Sequence, residues 1–199
     1  MTIVRRDFFL GFGTGIAVTI LLLIAASAGL IFITKRATRN LQNNETALYV
    51  LHFPQELTNY GEPDWNWTLL TLDGKEHSFS EFQGKVVFVN FWATWCEPCR
   101  AELPTIQKLF DRLKGEPVAV ILISDEDAET VGSYIAKGHF SFPVYMAHEG
   151  RPRVFQDPGI PVTFVLSQSG MVVFKQEGAF DWSSDTTVDF LQSLTKKSS

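Results

Sequence analysis

A single long apolar run dominates the beginning of the chain. No charged residue occurs from Phe8 to Thr34, and most of these positions hold Ile, Leu, Val, Phe, Ala or Gly. A membrane-spanning helix needs about 20 apolar residues, so residues 8–34 are predicted to form a transmembrane anchor. Ala26-Ser27-Ala28 is typical of a signal-peptide cleavage site. The apolar part of a signal peptide is only about 7–15 residues long, however, which favours an anchor that is not cleaved.

Polar residues separate this run from the rest of the chain. Residues 38–45 are mostly Arg, Asn, Gln and Thr, and residues 54–63 are irregular. We therefore divide the chain into an N-terminal flank (residues 1–7), the anchor (residues 8–34), a stalk or linker (residues 35–60) and one folded domain (residues 61–199). A domain of that length can bury a substantial hydrophobic core.

Within the domain, the apolar pattern changes between strand-like and helix-like segments. Residues 85–91 and 118–123 are continuous apolar runs, as in strands that are buried on both faces. Apolar residues at every third or fourth position predict a helix over residues 97–114. Before these segments, the pattern predicts a hairpin over 65–79 and a short helical turn at 80–84. After the strand at 118–123, it predicts a helix that is capped by Ser124 or Asp125 and runs to about Lys137. A short strand over 143–146, a hairpin over 161–175 and a helix over 185–194 complete the predicted order.

This order predicts an α/β fold. Consecutive strand–helix–strand units imply parallel strands joined by right-handed crossovers. The final hairpin would add antiparallel strands at one edge. We therefore expect a mixed sheet flanked by helices.

Charge is distributed unevenly along the chain. Five of the 17 basic residues but only one of the 22 acidic residues lie in the first 40 positions, so the remainder carries 12 basic and 21 acidic residues, a formal net charge of −9. An acidic domain repels phosphate backbones, so no nucleic-acid partner is expected. Basic residues flank the anchor on both sides, which suits lipid headgroups but leaves the orientation open. Arg5-Arg6 before large apolar residues resembles a twin-arginine export signal, which favours an extracytoplasmic domain.

The chain has two cysteines, Cys96 and Cys99. A disulfide between residues so close in sequence closes almost no loop, so it would add little stability. Exported domains that depend on disulfides for stability usually have more cysteines at wider spacing. The pair therefore indicates redox chemistry.

The position of the pair supports the same interpretation. Cys96 falls where a buried strand passes into a helix, so free backbone N–H groups and the helix dipole would stabilise its thiolate and lower its thiol pKa. Cys96 is predicted to attack a substrate disulfide, and Cys99, one turn further on, to resolve the mixed disulfide. Pro98 suits a first helical turn because it has no N–H to lose.

A zinc site is the alternative interpretation of two cysteines at this spacing. Zinc would need two further ligands, and the four histidines, His52, His77, His139 and His148, include no closely spaced pair. We therefore expect neither a bound metal nor another cofactor.

From about Trp65 to its end, the chain resembles the membrane-anchored thioredoxin-like proteins of the TlpA/ResA type. The motifs that carry the resemblance are Gly84-Lys85-Val86-Val87, Asn90-Phe91-Trp92-Ala93-Thr94-Trp95-Cys96, Pro98-Cys99-Arg100-Ala101-Glu102-Leu103-Pro104 and Gly159-Ile160-Pro161-Val162-Thr163-Phe164. The resemblance implies a thioredoxin-like domain that follows one N-terminal transmembrane helix. It also implies that the domain lies on the periplasmic side of the cytoplasmic membrane.

The same resemblance assigns roles to residues around the cysteines. Pro161 matches the family's cis-proline, which faces the cysteines and leaves the backbone of Ile160 free to pair with a substrate strand; an ordinary proline at the start of a strand is the alternative. Trp95 is expected to shape the site, whereas the nearby Trp92 is expected to pack in the core. Val162 stands where threonine is usual and could alter partner contacts.

Two glutamates are candidates for transferring protons or for changing the pKa and reduction potential of the cysteines. Glu102 matches a family glutamate near the disulfide, where a half-buried carboxylate could shuttle a proton or raise a thiol pKa. A surface glutamate in the first helical turn is an equally good hypothesis. Glu97 is expected to be exposed and to change the reduction potential of the cysteine pair slightly or not at all. Asn90 occupies the position of the buried aspartate of thioredoxins proper, so no aspartate is available there for proton transfer.

The function expected from these observations is extracytoplasmic thiol–disulfide exchange. By resemblance, the protein would reduce protein disulfides, for example in cytochrome c assembly, and would be re-reduced by a thiol electron donor in the membrane. A disulfide-forming oxidant remains an alternative, because the direction of electron transfer depends on the reduction potential of the cysteine pair. A metal-binding chaperone of thioredoxin-like fold is a third hypothesis, although neither the cysteine spacing nor a nearby histidine favours it. A peroxidase would need a peroxidatic motif, and the sequence shows none.

Overall fold

A computed structural model describes Leu23, Ile24, Ser27, Gly29, Phe53, residues 57–147 and residues 149–196. The chain divides into two units, Met1–Val50 and Leu51–Ser199. The four described residues of the first unit are helical. Among the described residues, no helix combines the length and the apolar character needed to cross a membrane. The predicted flank, the predicted anchor apart from those four residues, and the stalk apart from Phe53 and residues 57–60 lie outside the described residues.

The second unit is built on one mixed sheet. Its strands are β1 (Thr68–Thr71), β2 (Glu76–Ser78), β3 (Val86–Phe91), β4 (Val118–Ser124), β5 (Val144–Ala147), β6 (Val162–Leu166) and β7 (Val172–Glu177). In the described part of the chain they are ordered β2-β1-β5-β4-β3-β6-β7. The central strands β3, β4 and β5 are parallel, whereas β1, β2, β6 and β7 pair antiparallel with their neighbours. This confirms the predicted mixed sheet and both predicted hairpins.

Three α-helices are described, α1 (Glu97–Arg112), α2 (Ala128–Lys137) and α3 (Asp185–Ser193). Short 3-10 helices occupy Phe79–Phe82 and Arg153–Phe155. The prediction that Ser124 or Asp125 caps α2 is wrong. Ser124 still pairs with Met146 of β5, so the strand continues further than predicted. The cap is Asp127, whose carboxylate accepts the N–H of Thr130 at 2.8 Å.

The core has one cluster on each face of the sheet. Because β3, β4 and β5 are added in one direction by right-handed crossovers, α1 and α2 fall on the same face. Residues of all three α-helices share that cluster, which includes Val86, Phe88, Leu103, Ile106, Val131, Ile135, Val188 and Leu191. The opposite cluster is rich in aromatic rings and includes Trp67, Phe79, Phe82, Val87, Val89, Phe91, Phe155 and Phe164. The alternation of Val87, Phe88 and Val89 between the two clusters is that of a strand buried on both faces.

Strand register brings two distant loops together. Phe91, the last residue of β3, is opposite Val162, the first residue of the antiparallel β6. The chain leaving β3 therefore lies beside the chain entering β6. Residues 92–95, which we call the cysteine loop, follow Phe91 and lead to Cys96, while Ile160-Pro161 leads into β6.

Candidate active site

Cys96 and Cys99 form a disulfide, with their Cα atoms 5.3 Å apart. Cys96 is the N-cap of α1, and its Sγ accepts the backbone N–H of Cys99 at 3.2 Å. This is the helix-terminus geometry expected from the strand–helix junction, and in the reduced protein such an N–H stabilises a thiolate. Cys96 is 5% exposed and Cys99 is 0% exposed, so Cys96 is the less enclosed of the two cysteines.

The residues around the disulfide divide into exposed and buried side chains. Trp95 is 71% exposed beside Cys96, whereas Trp92 is buried and packs against Tyr134 with ring centroids 5.7 Å apart. Glu97 and Pro98 are exposed in the first turn of α1. Trp95 and Pro98 are thus exposed side chains near Cys96 along the chain, and Trp92 belongs to the core.

The segment opposite the cysteines is Ile160-Pro161. Their peptide bond is cis, as the resemblance implied. The carbonyl oxygen of Ile160 lies 3.8 Å from Cys96 Sγ. Pro161 is buried, and its carbonyl accepts the N–H of Gly178 at 2.9 Å, which ties this segment to the end of β7. The half-buried Ile160 therefore presents its backbone beside the accessible sulfur.

Glu102 lies in α1 one turn beyond Cys99 and is only 2% exposed. The hypothesis of a surface glutamate is therefore wrong, because this face of the helix packs against the sheet. Its Oε1 accepts from Asn90 Nδ2 at 2.8 Å, and its Oε2 accepts from Trp182 Nε1 at 3.0 Å and from the N–H of Phe180 at 3.1 Å. Burial raises the pKa of Glu102 above its ordinary value, and these three donors oppose that rise.

Asn90 links this carboxyl group to β6. Its Nδ2 also donates to Thr163 Oγ1 at 2.9 Å, while its Oδ1 is buried without a hydrogen-bond partner among the described residues. Asn90, Glu102 and Thr163 are each at most 2% exposed. The site therefore contains a buried polar network behind the disulfide, with one unused acceptor.

Three residues of the site were not predicted from the sequence, namely Thr163, Phe180 and Trp182. Thr163 carried a usable signal, because it is polar within the apolar run of β6, just as Asn90 is within β3. Phe180 and Trp182 carried none, because they lie 78 and 80 residues from Glu102 and only the docking of their segment brings them to it. The expectation that Val162 alters partner contacts is wrong, since its side chain is fully buried in the aromatic cluster.

The arrangement can exchange a dithiol for a disulfide. It offers one reachable sulfur at a helix N-terminus, a second sulfur sealed behind it, and a buried carboxyl group on the same helix. No group of three or more His, Cys, Asp or Glu side chains in the described part of the chain could hold a metal ion.

Comparison with known proteins gives consistent matches over the second unit. The Redoxin family model matches residues 59–190. The chain is 28% identical over 145 residues to the thiol-disulfide oxidoreductase ResA of Bacillus thuringiensis subsp. konkukian, covering 71% of this chain and 82% of that protein. It is 32% identical over 123 residues to ResA of Halalkalibacterium halodurans, covering 60% and 69%. A crystal structure of a thioredoxin-family thiol:disulfide interchange protein from Chlorobium tepidum is similar with a TM-score of 0.57 and 28% identity, covering 70% of this chain and 99% of that one.

Proposed function

The chain belongs to the Redoxin family as a ResA-like thiol–disulfide oxidoreductase, and from this premise we propose that it reduces disulfides of exported proteins outside the cytoplasm. Its substrates as an oxidoreductase of this family are protein disulfides.

The exchange runs through both cysteines. The Cys96 thiolate attacks one sulfur of the substrate disulfide, forming a mixed disulfide and releasing the other substrate sulfur as a thiolate that takes up a proton. Cys99, deprotonated, then attacks Cys96, which releases the second substrate thiol and leaves the Cys96–Cys99 disulfide. Two electrons pass to the substrate. A thiol donor in the membrane must return them to the protein before the next turnover.

The observation that carries these roles is the difference between the two sulfurs. Cys96 accepts an N–H from the helix terminus and keeps a small exposed area, while Cys99 is fully enclosed. An attacking thiol must be both ionisable and accessible, whereas a resolving thiol needs only to reach its neighbour.

In its ionised form, the buried carboxyl of Glu102 supports the reducing direction. An ionised carboxylate near a sulfur opposes thiolate formation there, so the reduced pair is stabilised less than in a strongly oxidising protein. Glu102 shares the buried face of α1 with Cys99, three residues away. We assign it to receive or supply the proton of Cys99 during resolution. The exposed Glu97 has at most a weak effect on the reduction potential of the cysteine pair.

The substrate would bind across the exposed part of the site. The free backbone of Ile160 suits pairing with an extended peptide, as in other cases where a strand adds to an edge. Pro161 holds that backbone against the end of β7, and the exposed indole of Trp95 and the ring of Pro98 offer apolar contacts on the other side. Such a surface fits an unfolded or extended polypeptide that carries a disulfide.

The location rests on the sequence. The apolar run over residues 8–34 and the arginine pair before it support export with an uncleaved anchor that tethers the domain to the cytoplasmic membrane on its periplasmic side. The resemblance to the TlpA/ResA type supports apocytochrome c, before haem attachment, as a substrate.

The reduction potential tests the direction. The full chain, in mild detergent, is equilibrated with dithiol buffers of graded potential and the fraction of Cys96–Cys99 disulfide is measured. A value near that of thioredoxin, about −270 mV, supports the reductase. A value near about −120 mV would refute it and make the protein an oxidant of newly exported chains.

A further inference from the structure

A second carboxylate, that of Glu126, contacts the cysteine loop directly. Its Oε2 accepts the backbone N–H of Thr94 at 2.6 Å, and its Oε1 accepts the Thr94 hydroxyl at 2.7 Å. Hydrogen bonds to an ionised acceptor are short and about twice as strong as those between neutral groups. One side chain, two residues beyond the end of β4, therefore holds both the backbone N–H and the hydroxyl of a residue two positions before Cys96.

The carboxylate is itself held in place. The Ser124 hydroxyl donates to Glu126 Oε2 at 3.2 Å, and the Glu126 N–H donates to Ser124 Oγ at 3.2 Å. Ser124 is fully buried as the last residue of β4. The anchor of Thr94 is thus continuous with the central sheet rather than part of a mobile surface chain.

The remaining bonds of the cysteine loop show why this anchor matters. The Trp92 N–H donates to the Ile123 carbonyl at 3.1 Å, and the Cys96 N–H donates to the Ala93 carbonyl at 3.2 Å. The first of these bonds joins the start of the loop to β4, and the second joins the loop to Cys96. Glu126 adds a link between the loop and β4 through Ser124, next to the exposed Trp95.

The adjacent residue, Asp125, forms an ion pair with a different segment. It pairs with Arg151 at 2.5 Å, and the Arg151 guanidinium lies 4.3 Å from the ring centroid of Phe91. Arg151 begins the segment that leads to Ile160. Two consecutive carboxylates that follow β4 therefore bond to two different segments, Glu126 to the cysteine loop and Asp125 to the side chain of Arg151.

We propose that Glu126 is a positioning residue for thiol–disulfide exchange, holding Thr94 so that Cys96 and Trp95 meet a peptide disulfide in a productive geometry. The inference rests on the proposed attack of Cys96 on peptide disulfides. Exchange requires the attacking sulfur to be aligned with the bond that it breaks, and a displacement of about 1 Å can cost about 100-fold in rate. A small reagent that approaches the thiolate from any direction has no such requirement.

This difference gives the test. The full reduced chain reacts either with a peptide containing one disulfide or with iodoacetamide, the latter at a pH where the Cys96 thiolate is fully formed. Glu126→Ala is expected to lower the rate constant for the peptide about tenfold or more, because it removes both bonds to Thr94. Its rate with iodoacetamide is expected to stay within about twofold of the wild type, because that reagent needs only the thiolate.

Three further variants separate positioning from charge and from folding. Glu126→Gln can accept the Thr94 N–H with its oxygen and donate its amide to the hydroxyl, so it is expected to react with the peptide within about threefold of the wild type. Thr94→Val removes only the hydroxyl bond and is expected to slow the peptide reaction by a smaller factor than Glu126→Ala. Glu129→Ala removes an exposed carboxylate three residues further on and is expected to change neither rate.

The outcomes are distinct. The inference would be overturned if Glu126→Ala and Thr94→Val reacted with the peptide as fast as Glu129→Ala does. It would also be overturned if Glu126→Ala lowered the rate constants for the peptide and for iodoacetamide by the same factor. A Glu126→Gln variant as slow as Glu126→Ala would also overturn it, because charge rather than position would then matter. If the wild type itself failed to reduce any peptide disulfide while reacting with iodoacetamide, the proposed function would fail and the inference with it.

Discussion

Asn90 in β3 donates a hydrogen bond of 2.8 Å to Glu102 in α1, so the central strand and the helix that carries the disulfide share a buried polar link. The same amide leaves its Oδ1 without a partner among the described residues. An unpaired buried acceptor is costly, so the Asn90 amide is fixed in this orientation by the two acceptors that it serves, Glu102 Oε1 and Thr163 Oγ1.

The first prediction concerns stability and pH. Because burial raises the pKa of Glu102 in the folded protein, the folded state binds its proton more tightly than the unfolded state does. The resulting stabilisation is complete below the ordinary value of 4.5 and is lost as pH rises through the raised pKa. Glu102→Gln keeps the shape of the neutral form and should lack this loss. We expect the free energy of unfolding of the wild type, measured in urea, to fall relative to the variant over that window. Parallel curves for the two proteins would contradict the prediction.

The second prediction concerns the indole that bonds Glu102. Trp182→Phe removes the Nε1 donor but keeps an aromatic ring against Phe88. Loss of a hydrogen bond to a charged group costs about 1.5–3 kcal/mol, so a destabilisation of that size is expected at a pH where Glu102 is ionised. The pKa of Glu102 should rise further.

Trp67→Phe is the matched control for that variant. Trp67 is also buried among aromatic rings, but its Nε1 has no hydrogen-bond partner in the described part of the chain. The same change of ring should therefore cost less stability at Trp67. Equal losses in urea-induced unfolding would show that packing, rather than the bond to Glu102, accounts for the effect.

The third prediction separates the two sulfurs. Cys99→Ser leaves the attacking sulfur in place and removes the one that resolves, so the variant should accumulate a stable mixed disulfide with substrate, visible on a non-reducing gel. Cys96→Ser should form essentially none, because the remaining sulfur is fully enclosed. Comparable adduct yields from the two variants would contradict the assignment of Cys96 as the attacking cysteine and Cys99 as the resolving cysteine.

The fourth prediction concerns Trp95. Its side chain is 71% exposed, so Trp95→Ala should change the free energy of unfolding by no more than about 0.5 kcal/mol. The loss of apolar contact should nevertheless raise KM for a protein disulfide several-fold and leave the reaction with a small disulfide nearly unchanged. Trp92→Ala is the contrasting variant, since a buried tryptophan typically costs about 3–5 kcal/mol when truncated. A strong loss of stability in Trp95→Ala would contradict the assignment of this residue to the substrate surface.

Local pattern was sufficient to predict the elements that carry the cysteines. The apolar run of β3 and the helical spacing of α1 depend on residues close in sequence, as does the junction that makes Cys96 an N-cap. The position of the cap of α2 was predicted incorrectly because a strand end depends on its neighbour, and β5 keeps Ser124 paired.

By itself, the sequence determined the α/β order, the redox pair and its place at a helix N-terminus, because periodicity and capping act over a few residues. Only the tertiary structure decided that Glu102 is buried and that Asn90 and Trp182 bond it. It alone also decided that Glu126 holds Thr94 and that Ile160 faces Cys96. These contacts join residues from 12 to 80 positions apart. They depend on strand register and helix docking, which are set by the packing of the whole core rather than by any local pattern.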